Sequence, residues 1–212
     1  MKKLFVFNGA GTLLDSEVSG FRWLAREIGQ EREEKRHLRR YRRVKKEGPW
    51  GLEELAALFK GISQRELKEK SKKFIRENLM FGARELINIL KVKHYFVAFY
   101  SSDPMEICEA LKQELSLDDI YSNELEYESR KATGKLKEKV DRYDRADRIK
   151  EIVKKNKLRR DSVYIIGDSV TALPSKDYGI FISFNSKDKE VDEKADFVVK
   201  EKDLTKILEF IE

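Results

Sequence analysis

Four short apolar runs punctuate the chain: Leu4-Phe5-Val6-Phe7, Phe96-Val97-Ala98-Phe99-Tyr100, Val163-Tyr164-Ile165-Ile166 and Ile180-Phe181-Ile182-Ser183-Phe184. Each is too short for a helix and almost continuously apolar, the pattern of a strand buried on both faces. Phe197-Val198-Val199 predicts a short edge strand. Between these runs the apolar positions change to helical spacing, as with Ala146, Ile149, Ile152 and Val153 inside Arg145 to Asn156. A further helix is predicted from Pro104, capped by Ser102 or Asp103, with Glu106 placed to complete a capping box. Strands alternating with helices predict right-handed crossovers and an α/β core built on a Rossmann-like, mostly parallel sheet.

Residues 16–81 break the alternation. They hold no strand pattern but several helical ones: Phe21, Leu24 and Ile28; Leu52, Leu55, Ala56 and Phe59; and a segment opened by Ser63 with Glu66 three residues on, a capping box. Gly48-Pro49-Trp50-Gly51 predicts a turn between two of them. The expected organisation is therefore a core of residues 1–15 and 82–212 with a helical cap, 16–81, inserted after the first strand. Asn123 to Val140 is polar, with a hairpin expected around Arg130 to Gly134.

Composition narrows the class. A chain of 212 residues can bury roughly 70% of its unfolded surface without disulfide or metal staples. Charged residues make up 40%, far above the usual ~25%, a balance that predicts surface ion-pair networks and a thermophilic source. Cys108 is the single cysteine, so no intrachain disulfide can form and the cytoplasm is the expected compartment. It lies with Ile107, Leu111 and Leu115 on one helical face, the place of a core thiol. No run approaches membrane-spanning length and no signal-peptide pattern opens the sequence, so no membrane partner is expected. His37 and His94 are too far apart to suggest a shared site, and no His/Cys metal spacing occurs. The net charge is +6, and Arg32 to Lys46 holds nine basic residues against Glu33 and Glu34. That run reads either as a solvated helix surface or as a patch for an acidic partner or nucleic acid. Tyr41 is its only aromatic residue, so it offers no stacking platform for bases.

The candidate chemistry sits at the ends of the apolar runs. Asn8-Gly9-Ala10-Gly11-Thr12 is a glycine-rich turn after the first, at the edge where open α/β sheets place their sites. Ser101-Ser102-Asp103-Pro104 follows the second, Asp144-Arg145-Ala146-Asp147 opens a helix, and Gly167-Asp168-Ser169-Val170-Thr171-Ala172 follows the third. In this order the segments resemble the four signatures of the haloacid-dehalogenase-like hydrolases. Those are a strand with Asp-x-Asp-Gly-Thr, a strand-terminal Ser or Thr, a Lys at a helix start, and Gly-Asp-Ser-x-x-Asp. Thr133-Gly134-Lys135 is similar to the Thr-Gly preceding the third signature, and a helical insertion after the first strand points to the phosphoserine-phosphatase-like branch.

The resemblance implies phosphoryl transfer through an aspartyl-phosphate, assisted by Mg²⁺. It also marks departures: Asn8 stands at the nucleophile's place, Ala10 at the general acid/base, Arg145 at the lysine and Ala172 at the distal aspartate. An amide oxygen is uncharged and a very poor nucleophile, and loss of general acid/base help alone costs about a hundred- to ten-thousand-fold in rate. Of the implied Mg²⁺ ligands only Asp168 keeps a charge, beside Asn8 and the carbonyl of residue 10, so any Mg²⁺ would be held weakly. Asp168 reads equally as a residue that orients its loop. Ser101, Ser102 and Arg145 are the expected phosphate contacts, the arginine fork suiting paired contacts with phosphate oxygens; Arg145 also reads as a surface arginine of a charge-rich helix. The expected function is a pseudophosphatase that binds phosphate or a small phosphorylated metabolite without metal. Two alternatives stand beside it. One is a residual hydrolase, since deamidation of Asn8-Gly9 would restore an aspartate; the other is a partner- or nucleic-acid-binding protein using the basic segment.

Overall fold

The computed structural model describes residues 2–44, 51–141 and 144–211. Its strands are β1 (Leu4–Phe7), β2 (Phe96–Pro104), β3 (Asp119–Glu128), β4 (Lys131–Glu138), β5 (Val163–Gly167), β6 (Ile180–Phe184) and β7 (Phe197–Val199). They form one seven-stranded sheet in the order β4-β3-β2-β1-β5-β6-β7, parallel throughout except for the antiparallel β3–β4 pair. Before β2 come helices α1 (Gly20–Glu27), α2 (Glu31–Val44), α3 (Leu52–Ala57), α4 (Gln64–Asn78) and α5 (Ala83–Val92); after it come α6 (Met105–Leu115), α7 (Asp144–Lys155) and α8 (Lys189–Glu193). Among the described residues no helix is long and apolar enough to cross a membrane.

The apolar runs are continuous because both faces of the sheet are covered. In β1, Phe5 and Phe7 join one core with Phe99, Phe21, Leu24 and the helices between β1 and β2, whereas Leu4 and Val6 join another with Ala98, Ile165 and the α7 residues Ile149 and Ile152. This is the two-residue alternation of a strand, and it needs apolar side chains at every position. Cys108 is fully buried on the first side, as its helical spacing predicts.

Local expectations fared unequally. Ser63 caps α4, its hydroxyl accepting the Glu66 N–H at 3.2 Å. The box expected at Asp103 does not form. β2 runs on to Pro104, α6 begins at Met105, and its cap makes no side-chain hydrogen bond. The Asp103 carboxylate instead accepts the Phe21 N–H of α1 at 3.1 Å, and Glu106 accepts from the Tyr127 hydroxyl. A distant helix has outcompeted the local one for the same acceptor. The expected hairpin exists but is longer, with β3 and β4 meeting at Ser129 and Arg130, whose φ values are +48° and +63°. The basic run up to Arg43 lies on α2; Lys45 and Lys46, and Gly48 to Trp50 of the expected turn, lie outside the described residues.

Candidate functional site at the carboxyl edge of the sheet

Register brings the loop segments together. Phe7 pairs with Phe99 on one side and Ile166 on the other, so the chain leaves β1, β2 and β5 at one edge of the sheet. The turn after β1 is closed by Thr12 N–H to the Gly9 carbonyl at 3.0 Å and Gly11 N–H to the Leu14 carbonyl at 2.8 Å. Gly11 has φ +85°, and a Cβ there would stand 2.2 Å from a carboxylate oxygen of Asp168. The glycine is thus required twice, by backbone conformation and by the approach of the β5 loop.

Arg145, buried near the start of α7, ties these loops. Its Nη1 donates to Asn8 Oδ1 at 2.9 Å, and Nη2 donates to the Thr171 carbonyl at 3.1 Å and its hydroxyl at 2.6 Å. Burial lowers the guanidinium pKa to about 10, against the opposing charges of Asp168, Asp103 and Asp141. It therefore stays protonated at neutral pH. The reading of Arg145 as a surface arginine is corrected: a guanidinium this buried, with polar partners on two loops, is interior.

Asp168 lies beside this junction, with Thr12 Oγ1 at 3.4 Å from its carboxylate. Burial pushes its carboxyl pKa up, while hydrogen bonding to its own N–H, the charge of Arg145, and bonds from Asn8 and Thr12 pull the other way. Ala172 is buried in the apolar cluster under α7. Gly167 leaves room for it, since a Cβ at 167 would stand 2.8 Å from that of Ala172 and 2.7 Å from Asn8 Nδ2. Ala10 is half-buried at the cavity wall.

Ser101 and Ser102 part company. The Ser101 hydroxyl is buried and donates to Asp103 at 3.0 Å while accepting the Asp103 N–H at 3.1 Å. Ser102, next along the strand, uses its carbonyl to accept from Asn123 at 2.6 Å. Burial raises the Asp103 carboxyl pKa, opposed by the N–H groups of Phe21 and Gly20, the Ser101 hydroxyl and the charge of Arg145. An open cavity of about 720 Å³ lies over the loop tips, walled by Ala10, Gly11, Asp168 and Ser169 and by Lys187, Lys189 and Lys202. Its described lining does not include Ser101, Ser102 or Arg145. Sequence reasoning missed Thr171 and Asp103 as partners and the three lysines altogether; lysines are too common in this chain to stand out.

The donor set does not suit Mg²⁺, which favours an octahedron of oxygens with one or two carboxylates. Asn8 Oδ1 already accepts from a guanidinium, Ala10 and Ala172 supply no side-chain oxygen, and Asp168 is the only carboxylate among the four positions. Among the described residues no cluster of three or more His, Cys, Asp or Glu side chains could hold a metal ion.

Comparison with known proteins agrees with this architecture. Residues 5–174 match the model of the haloacid dehalogenase-like hydrolases. A phosphoserine phosphatase of Archaeoglobus fulgidus is 32% identical over 88% of this chain, which spans only 54% of that protein. The phosphoserine phosphatase of Methanocaldococcus jannaschii is 27% identical over 99% of this chain and 98% of its own. Among solved structures, a phosphoserine phosphatase captured as a phospho-aspartyl intermediate analogue superposes with a TM-score of 0.79 at 28% identity, covering 100% of this chain and 99% of the other. The chain belongs to the haloacid dehalogenase-like hydrolase family, in its phosphoserine-phosphatase-like branch.

Proposed function

We propose that this chain is a pseudophosphatase: a member of the family that keeps the scaffold, has lost phosphoryl transfer, and binds phosphate or a small phosphorylated molecule at the loop tips, under a helical cap of residues 16–81. The observation that carries the reading is the hydrogen bond from Arg145 to Asn8. The relative solved as a phospho-aspartyl analogue carries its adduct on an aspartate. An amide engaged by a guanidinium is uncharged, has its oxygen occupied, and cannot attack phosphorus usefully. Ala10 cannot pass a proton to a leaving alcohol.

Arg145 and Ser101, expected as anion contacts, have protein partners already, so the first contact with an anion falls to the cavity wall. Lys202 is paired with Asp15 at 2.7 Å, and Asp188 accepts the Glu190 N–H as the cap of α8. Lys187 and Lys189 form no ion pair among the described residues and supply the positive charge. Asp15, Glu17, Asp168 and Asp188 also stand in the open wall against its three lysines, so millimolar affinity is the expectation.

The test pairs two measurements. Freshly purified native chain, with residue 8 verified as an amide by mass, is assayed on phosphoserine and p-nitrophenyl phosphate with Mg²⁺, and titrated calorimetrically with inorganic phosphate in EDTA. The expected result is no turnover and a binding heat that Lys187→Gln with Lys189→Gln diminishes. A variant carrying Asn8→Asp, Ala10→Asp, Arg145→Lys and Ala172→Asp is expected to gain Mg²⁺-dependent turnover, by about a thousand-fold or more if nucleophile and acid/base are both regained. Mg²⁺-dependent turnover by the native chain would overturn the loss of chemistry, and absence of phosphate heat would overturn the binding.

A further inference from the structure

A second cavity, of about 490 Å³, lies between α2 and α3, remote in sequence from the loop residues just described. Arg36, Arg39, Arg40 and Arg43 line it, with His37 and Glu54. The four arginines follow the i, i+3, i+4, i+7 pattern and so form one stripe, which spans roughly 10 Å at the helical rise. Only part of their charge is matched. Arg36 pairs loosely with Glu33 at 3.6 Å and Arg40 pairs with Glu54, whereas Arg39 and Arg43 are exposed and form no ion pair among the described residues.

The stripe is held in place from beneath. Glu34, fully buried, accepts from Arg22 and Arg26 of α1, each at 2.8 Å. Burial would raise its carboxyl pKa, but the bonds from Arg26 and Arg22 prevail and hold it below the ordinary carboxylate range. His37 lies 3.2 Å from Arg22 Nη2 and 3.0 Å from the Gly51 carbonyl. Because an arginine can only donate, Nδ1 accepts and the Nε2–H donates to Gly51, fixing a neutral ring. Burial and the charge of Arg22 accordingly hold the His37 pKa below its ordinary value. α2 is thereby fixed to α1 and to the entry of α3, and the arginines above it are presented on a rigid support.

We propose that this cleft binds a linear chain of phosphate groups, the chemistry shared by inorganic tripolyphosphate and the backbone of single-stranded nucleic acid. Guanidinium forks match phosphate oxygens in pairs, and one phosphate can fill more than one fork. Among the described residues no Phe, Tyr or Trp lines the cleft, so the guanidinium stripe would hold a strand through its phosphate backbone rather than by reading its bases. The binding is independent of the loop-tip cavity, so either reading can fail without the other.

The experiment measures fluorescence anisotropy of the full chain with a dye-labelled ten-nucleotide oligouridylate, with unlabelled inorganic tripolyphosphate and polyglutamate as competitors. Binding is expected at 50 mM salt and should weaken about twenty-fold at 200 mM if three phosphates are neutralised on a single strand. Arg39→Gln with Arg40→Gln and Arg43→Gln should weaken it at least about ten-fold, the loss expected when paired guanidinium contacts to phosphate are removed. Lys187→Gln with Lys189→Gln should leave it unchanged. Tripolyphosphate binding tighter than the oligonucleotide assigns the site to free oligophosphates; the reverse order assigns it to nucleic acid. The proposal is overturned if neither phosphate chain binds at 50 mM salt, if the triple variant with an unchanged melting curve binds as well as the native chain, or if polyglutamate competes as well as tripolyphosphate.

Discussion

Arginine serves opposite ends in two regions of this molecule. At the sheet edge, Arg145 is buried and donates to Asn8, Tyr100 and Thr171, tying the ends of β1, β2 and β5 together. On α2, Arg39 and Arg43 stand in solvent with their charge unmatched among the described residues. The buried guanidinium is part of the architecture because its removal strands the polar groups it serves on two loops. The exposed ones add almost nothing to folding and are therefore available to a ligand. The same side chain is a fastener in one place and a contact surface in the other, and burial decides which.

The sharpest way to break this contrast is Arg145→Ala. It leaves Asn8 Oδ1 and the Thr171 oxygens without their donor, at about 1–3 kcal/mol per buried group. A loss of about 4 kcal/mol is expected, or a melting temperature lower by about 8–16 °C for a chain of this size. Arg39→Gln in the same assay should change stability by less than about 0.5 kcal/mol. Equal effects of the two substitutions would abolish the distinction.

The clasp under α2 comes next. Glu34→Gln should cost about 2 kcal/mol at pH 7, the scale of hydrogen bonds to a charged partner. Its folded pKa is lowered, so its stabilisation is complete above the unfolded value near ~4.3 and is lost as pH falls through the lower folded value. Urea midpoints should therefore separate native chain and variant at neutral pH and converge below about pH 4. A gap that persists in acid would mean the carboxylate charge is not what holds the helices. Asp103→Ala should cost less than Glu34→Gln, about 1–2 kcal/mol, the usual worth of a helix cap. Hydrogen exchange should show the Phe21 amide losing protection, since Asp103 is its acceptor.

The sheet was legible because its central strands are covered on both sides, which forces apolar runs such as Phe96–Tyr100 and Val163–Ile166. β3 was not, because only Ser122, Asn123 and Leu125 of Asp119–Glu128 are buried and most of its residues are polar. Its turn was expected only around Arg130 to Gly134, because the residues that make it, Ser129 and Arg130, take positive φ without glycine or asparagine. At the site, residue identities could be read directly, as with Asn8 and Ala10, but engagements could not. Arg145 meets a partner 137 residues away, and Asp103 meets one 82 residues away. Local rules favoured a cap at Asp103 because they weigh only neighbours. The competing amide came from a helix that tertiary folding delivers to the same carboxylate.

The eight residues of α1 have a consequence for both regions. Its first amides hang from Asp103 at the tip of β2, while Arg22, next after Phe21, and Arg26, near its end, grip Glu34 of α2. Loop tips and arginine cleft are thus bolted to one and the same short rod, so a tilt of α1 would displace the two together.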